Sequence, residues 1–166
     1  AALEAPELIS SLVLLDSSGI ERREGDFLPE EVEMRENSLA GWGYLINSRE
    51  RITTALAPHF DEIPPGRVEE FFLVCANSHN WRAMVDLARD ENGTRQSELG
   101  NIEAPALVLW GELDLAYEPD YYATRFASAL PNAELQILPD TGHYPHEQRP
   151  AEVVHALETF FQELER

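Results

Sequence analysis

Two runs of apolar residues constrain the fold of this chain most. Leu12-Val13-Leu14-Leu15 and Ala106-Leu107-Val108-Leu109-Trp110 are apolar without interruption over a length that suits a strand. A strand with one solvated face alternates apolar and polar residues, so unbroken runs predict strands of a parallel sheet covered on both faces. A third run, Leu135-Gln136-Ile137-Leu138, predicts another strand. Helical spacing follows the second and third runs. It is seen in Ala123, Phe126, Ala127 and Leu130 after Pro119, and in Val153, Leu157, Phe160, Phe161 and Leu164 after Pro150. Both prolines are expected in a first helical turn, where a missing N–H costs little. Strand, helix, strand, helix implies right-handed βαβ units and an α/β fold.

Between the first two strands the pattern changes. From about Phe27 to Leu99 no run reads as a strand, and residues 30–40, 41–57, 67–77 and 80–91 read as helices. Asp61-Glu62-Ile63-Pro64-Pro65-Gly66 breaks them. A crossover between parallel strands needs only a dozen or so residues, so this stretch is a helical insert. Inserts at the carboxyl ends of strands lie where α/β sheets bind ligands. The expected organisation is therefore core over 1–20, a helical cap over 21–100, and core again over 101–166. The cap aromatics Trp42, Tyr44, Phe60 and Trp81 either line an apolar pocket or form the cap's own core.

Charge narrows the partners. Thirty-one acids face twelve bases, for a net charge of −19, and each base is an arginine. A surface this acidic repels nucleic acid and anionic membranes. The absent lysine fits a GC-rich genome or adaptation to high salt, which screens acidic self-repulsion. The single cysteine, Cys75, excludes an intrachain disulfide and, within Phe71-Phe72-Leu73-Val74-Cys75, reads as a buried thiol. No apolar run has transmembrane length and no basic leader opens the chain, so a cytoplasmic location is expected. The opening Ala1-Ala2-Leu3-Glu4-Ala5-Pro6 reads like the end of a helix already under way, as though residues preceded it.

Two loops carry chemistry. Asp114 lies just past the second strand, in Trp110-Gly111-Glu112-Leu113-Asp114, and His143 follows the third, in Asp140-Thr141-Gly142-His143-Tyr144-Pro145. Loops that follow neighbouring parallel strands emerge on one edge of the sheet, so an acid and a histidine distant in sequence are brought side by side. A carboxylate on one imidazole nitrogen fixes the tautomer, and the other nitrogen is then free to take a proton. Gly111 and Gly142 are expected to permit the tight turns. Asp16, ending the first strand, is the alternative acid, and Tyr144 is expected to border the site. His146 and His155 read as surface residues, and His59 and His79 lie in the insert. No set of residues has convincing metal-ligand spacing, and no glycine-rich phosphate loop follows a strand.

The order of these elements, with Gly111-Glu112-Leu113-Asp114 after one strand and Gly142-His143 after the next, resembles the C-terminal portion of the α/β-hydrolase fold. Leu12–Leu15 is similar to its sixth strand, the Asp114 loop to the acid loop after the seventh, and residues 140–150 to its histidine loop and last helix. One departure is that Pro119 stands five residues after the acid, whereas members often have a proline at four. The resemblance implies a capped hydrolase of a small, fairly apolar ester or carbon–carbon bond, with a nucleophile–His143–Asp114 triad and no cofactor. It equally admits an epoxide hydrolase or dehalogenase with an aspartate nucleophile, a cofactor-free oxygenase or haloperoxidase, or a non-catalytic ligand-binding or scaffold fragment. The family's nucleophile stands in a G-x-S-x-G elbow, a motif that these residues do not contain. The nucleophile is therefore expected from outside this chain, which alone would be inactive. The family's fifth strand is missing as well, which would leave Leu12–Leu15 an open edge that associates readily. An N-terminal half or a second copy is the expected partner, alongside the small-molecule substrate.

Overall fold

The computed structural model describes residues 1–23, 25–26, 48–60, 62–77, 79–80, 83, 86 and 93–166. The expected helix over 30–40, most of that over 80–91, and the aromatics Trp42, Tyr44 and Trp81 lie outside the described residues.

Three strands, β1 (Leu12–Leu15), β2 (Ala106–Gly111) and β3 (Ala133–Leu138), form one parallel sheet in the order β1-β2-β3. Leu12 pairs with Ala106 and Leu15 with Leu109, while Ala106 pairs with Ala133 and Gly111 with Leu138. Every residue of the central strand β2 is buried, whereas each residue of the edge strand β1 is only half-buried. Alternate residues of β2 serve opposite faces. Leu107 and Leu109 pack with Leu138 and with Val153, Ala156 and Phe160 of the last helix, while Trp110 meets Phe126 with ring centroids 6.0 Å apart. Covering on both faces explains why the run is apolar throughout.

The chain divides into two compact units, 1–20 with 93–166, and 21–92. In the second, α1 (Arg49–Leu56) runs on as a 3-10 turn to His59, and α2 (Arg67–Cys75) begins after Gly66 at φ 88°. Ile52, Leu56, His59, Phe60 and Cys75 are buried there. Burial also pushes the Cys75 thiol up from its ordinary pKa. Arg49 makes a two-pronged pair with Glu69 at 2.6 and 2.8 Å. Residues 93–100 group with the sheet, where the 3-10 turn Gln96–Asn101 begins and Arg95 pairs with Glu4 at 2.8 Å.

The first unit holds α3 (Tyr122–Ala129), α4 (Pro145–Gln148) and α5 (Pro150–Leu164). Pro150 occupies the first turn of α5, as its fixed φ favours. Pro119 does not do so for α3. The amides of Tyr121 and Tyr122 both donate to the Glu118 carbonyl, closing a separate turn that holds Pro119 ahead of the helix. Among the described residues no helix is long and apolar enough to cross a membrane.

Candidate active site

Three turns at the carboxyl ends of the strands meet. β1 ends in Asp16, β2 leads into the turn that carries Asp114, and β3 leads into the loop that carries His143. The second and third are stitched together by backbone. The amide of Glu112 donates to the Leu138 carbonyl at 2.9 Å, and that of Leu113 to the Thr141 carbonyl at 2.8 Å. The Gly142 amide is held in turn by Gln148 Oε1 at 2.7 Å, and Arg149 donates to the Asp140 carbonyl at 2.9 Å.

Gly111 is the tightest point of this seam. A Cβ there would stand 2.5 Å from the Thr141 carbonyl oxygen and closer still to that of Gly142. The glycine is therefore required for close approach of two backbones. Gly111 and Gly142 permit these turns without a left-handed backbone. Neither has positive φ; that conformation falls on Asp16 (φ 38°) and Asp140 (φ 50°). Aspartate tolerates it better than most side chains because its short polar group can bond locally.

Asp114 is 3% exposed and its carboxylate is fully engaged. Oδ1 accepts from the amides of Ala116 at 2.8 Å and Tyr117 at 3.1 Å, the local turn that an aspartate two and three residues upstream makes. Oδ2 lies 3.0 Å from His143 Nδ1. Trp110 Nε1 donates to the Tyr117 carbonyl at 2.8 Å, tying this turn back to β2. The His143 side chain is 19% exposed, and its Nδ1 faces a buried carboxylate. Tyr117 stacks on the imidazole with centroids 5.6 Å apart, and Tyr144 meets it edge-on at 5.0 Å. Sequence reasoning placed Tyr144 here and missed Tyr117 and Trp110. The signal for Tyr117 lies in its spacing from Asp114, because an aspartate that caps its own turn fixes the direction of the residue three on.

Asp16, weighed as the alternative acid, also reaches this cluster. It is 6% exposed, and its Oδ1 accepts from the Gly111 amide at 2.8 Å. One ligating atom from each of Asp16, Asp114 and His143 lies within 4.8 Å of the others. Burial, opposed in part by the Gly111 hydrogen bond and reinforced by the neighbouring Asp114, pushes the Asp16 carboxyl up to about 9. These three side chains could offer atoms to a cation, yet three donors, two amides and an imidazole, already engage the Asp114 carboxylate. The arrangement suits proton handling better than ion binding. The other histidines stand apart from it in character: His146 and His155 are exposed, as expected, while His59 is buried and His79 exposed in the second unit.

An imidazole hydrogen-bonded to a buried carboxylate thus stands at the carboxyl ends of a parallel sheet. A model of the alpha/beta hydrolase family matches residues 1–156, and the chain belongs to that family. Among its relatives is the Mycobacterium tuberculosis protein named "Putative non-heme bromoperoxidase BpoC", 30% identical over 162 residues, covering 95% of this chain and 60% of the relative. Another is "Uncharacterized hydrolase YugF" of Bacillus subtilis, 29% identical over 163 residues, covering 90% of this chain and 55% of the relative. The fold matches the crystal structure of a membrane phospholipase A, a bacterial virulence factor, with a TM-score of 0.77 at 24% identity, over 99% of this chain and 53% of that one. The chain thus spans little more than half the length of the proteins it resembles.

Proposed function

We propose that His143 is the proton-transferring base of a hydrolase, that Asp114 orients it, and that the nucleophile comes from outside these 166 residues. The observation that carries this reading is the Nδ1–Oδ2 hydrogen bond between a partly exposed imidazole and a buried carboxylate held by two amides. With Nδ1 donating to Asp114, Nε2 is the proton acceptor. It takes the proton of a serine hydroxyl as that oxygen attacks the substrate carbonyl. It then hands the proton to the leaving group, and in the second half of the cycle takes one from water. The absence of a G-x-S-x-G elbow and the share of the relatives that the chain covers support placing the serine in another segment or chain. That N-terminal half, or a second copy, would pair with the open edge of β1, and the 21–92 unit would serve as the cap.

The substrate class is a small, fairly apolar ester or carbon–carbon bond. Among the described residues, exposed Leu113 and Leu115 flank the buried acid and Tyr117 and Tyr144 border the base, which favours an apolar substrate. The relative named as a non-heme bromoperoxidase supports a second reading, in which the same His–Asp couple serves peroxide-dependent halogenation.

The test uses the protein with its nucleophile present, whether in one chain or two. It is expected to take a fluorophosphonate label and cleave short-chain esters, while the 166-residue chain alone does neither. No label and no ester cleavage would overturn the hydrolase reading, and peroxide-dependent halogenation without either would favour the second.

A further inference from the structure

The turn after β1 holds a carboxyl that the Asp114–His143 couple leaves unexplained. Asp16 takes a left-handed backbone conformation at a strand end and turns its side chain inward until only 6% of the residue is exposed. Oδ1 accepts from the Gly111 amide, but Oδ2 is buried with no hydrogen-bond partner among the described residues. Among the described residues, the titratable groups that face it are Asp114, from the turn after β2, and His143, from the loop after β3. Two buried carboxylates this close do not both ionise, because each charge raises the cost of the other. Donors decide which keeps its charge. Asp114 receives three, from Ala116, Tyr117 and His143, whereas Asp16 receives one. A proton on Asp16 Oδ2 converts an unsatisfied buried acceptor into a donor beside a carboxylate, which resolves both problems.

We propose that Asp16 is a positioning residue: a neutral carboxylic acid whose Oδ2–H donates to the Asp114 carboxylate and braces it from the side of β1, so that Asp114 stays charged and directed at His143. Asp16 touches no reacting atom in this scheme. It adds a fourth donor to the orienting acid, and the shift of its own titration out of the usual carboxylate range agrees with the assignment. The inference rests on the His143–Asp114 reading above only for its consequence in catalysis; the protonation state of Asp16 stands by itself.

Carboxyl-labelled 13C-aspartate NMR reads that state directly, with the Asp16 signal assigned by its loss in D16N. At neutral pH the Asp16 signal is expected at the position of a neutral acid and the Asp114 signal at that of a carboxylate. An Asp16 that titrates in the ordinary carboxylate range would overturn the proposal, as would a neutral Asp114. The role is read by D16N against D16G in the protein with its nucleophile, since both residues accept positive φ. Asn keeps a donor and is expected to stay within a few-fold of the parent. Gly removes it and is expected to lower kcat roughly ten- to a hundredfold with little change in KM, the span that follows from losing one hydrogen bond to a charged group. Equal loss in both variants, or none in D16G, would refute the bracing role. If the parent cleaves no ester, the hydrolase reading fails while the 13C result still decides Asp16; if D16G does not fold, the 13C measurement on the parent decides alone.

Discussion

The turns after β1 and β2 end adjacent parallel strands at one edge of the sheet, and each buries an aspartate. Their circumstances differ. Asp114 has both oxygens occupied, by two amides and an imidazole, and Asp16 has one oxygen occupied and one without a partner among the described residues. Burial alone does not tell the two apart, since both are nearly inaccessible. The count of donors does. The lesson is that a buried acid keeps its charge where the local turn supplies amides to it, and two carboxyls in one cluster sort into a charged and a neutral member on that basis.

The largest break is expected from Gly111→Ala. Gly111 serves both turns: its amide is the donor to Asp16, and its Cα lies against the Thr141 and Gly142 carbonyls. Two backbone segments would have to part, and backbone shifts forced by overpacking cost about 1–3 kcal/mol or more. Thermal or denaturant unfolding is expected to show that loss together with disappearance of the His143–Asp114 contact by NMR. A variant as stable as the parent would mean that the seam between the turns is looser than described.

Asp114→Asn sharpens the comparison by removing the charge and keeping the shape. By analogy with serine hydrolases, kcat is expected to fall on the order of 10³–10⁴-fold, because the amide presents a donor to Nδ1 and favours the wrong tautomer. The same change removes the charge that helps hold the proton on Asp16, so Asp16 is expected to titrate at lower pH than in the parent, though still above the ordinary range, because burial remains the largest cause. An unmoved Asp16 titration would show that the two carboxyls do not sense each other.

A further test lies in the dependence of stability on pH. Asp16 is raised in the folded state from 3.8 to about 9. Between those values the unfolded chain has released this proton and the folded chain keeps it, so folding stability falls as pH rises through that window and levels off above it. D16N lacks the group. The difference in stability between D16N and the parent is therefore expected to grow in favour of D16N from acid to neutral pH; a difference that stays flat would contradict a raised Asp16.

Much of this site could be read along the chain, for identifiable reasons. Uninterrupted apolar runs marked β1 and β2 because a covered parallel strand has no polar face to show. Asp114 and His143 could be paired because short turns after neighbouring strands leave little choice of where their residues go. The two strands nevertheless differ in burial, since β1 lies at the sheet edge and β2 at its centre, and strand order is not encoded in either run. The state of Asp16 was not legible either. It depends on an amide 95 residues away and on a second carboxyl that folding delivers. Gly111 was read as a turn residue, and the close approach that it also serves was not: the two look alike in sequence, and only the position of the Thr141 and Gly142 carbonyls reveals the second.

In the proposed mechanism His143 draws a proton from the nucleophile while Asp114 holds it in place. The rate of fluorophosphonate labelling tests this most directly, measured on the protein with its nucleophile and on its His143→Ala variant at equal reagent. The loss of the base is expected to slow labelling on the order of 10³-fold or more, with the protein still folded. Labelling at an unchanged rate would contradict the claim and assign the activation of the nucleophile to another group.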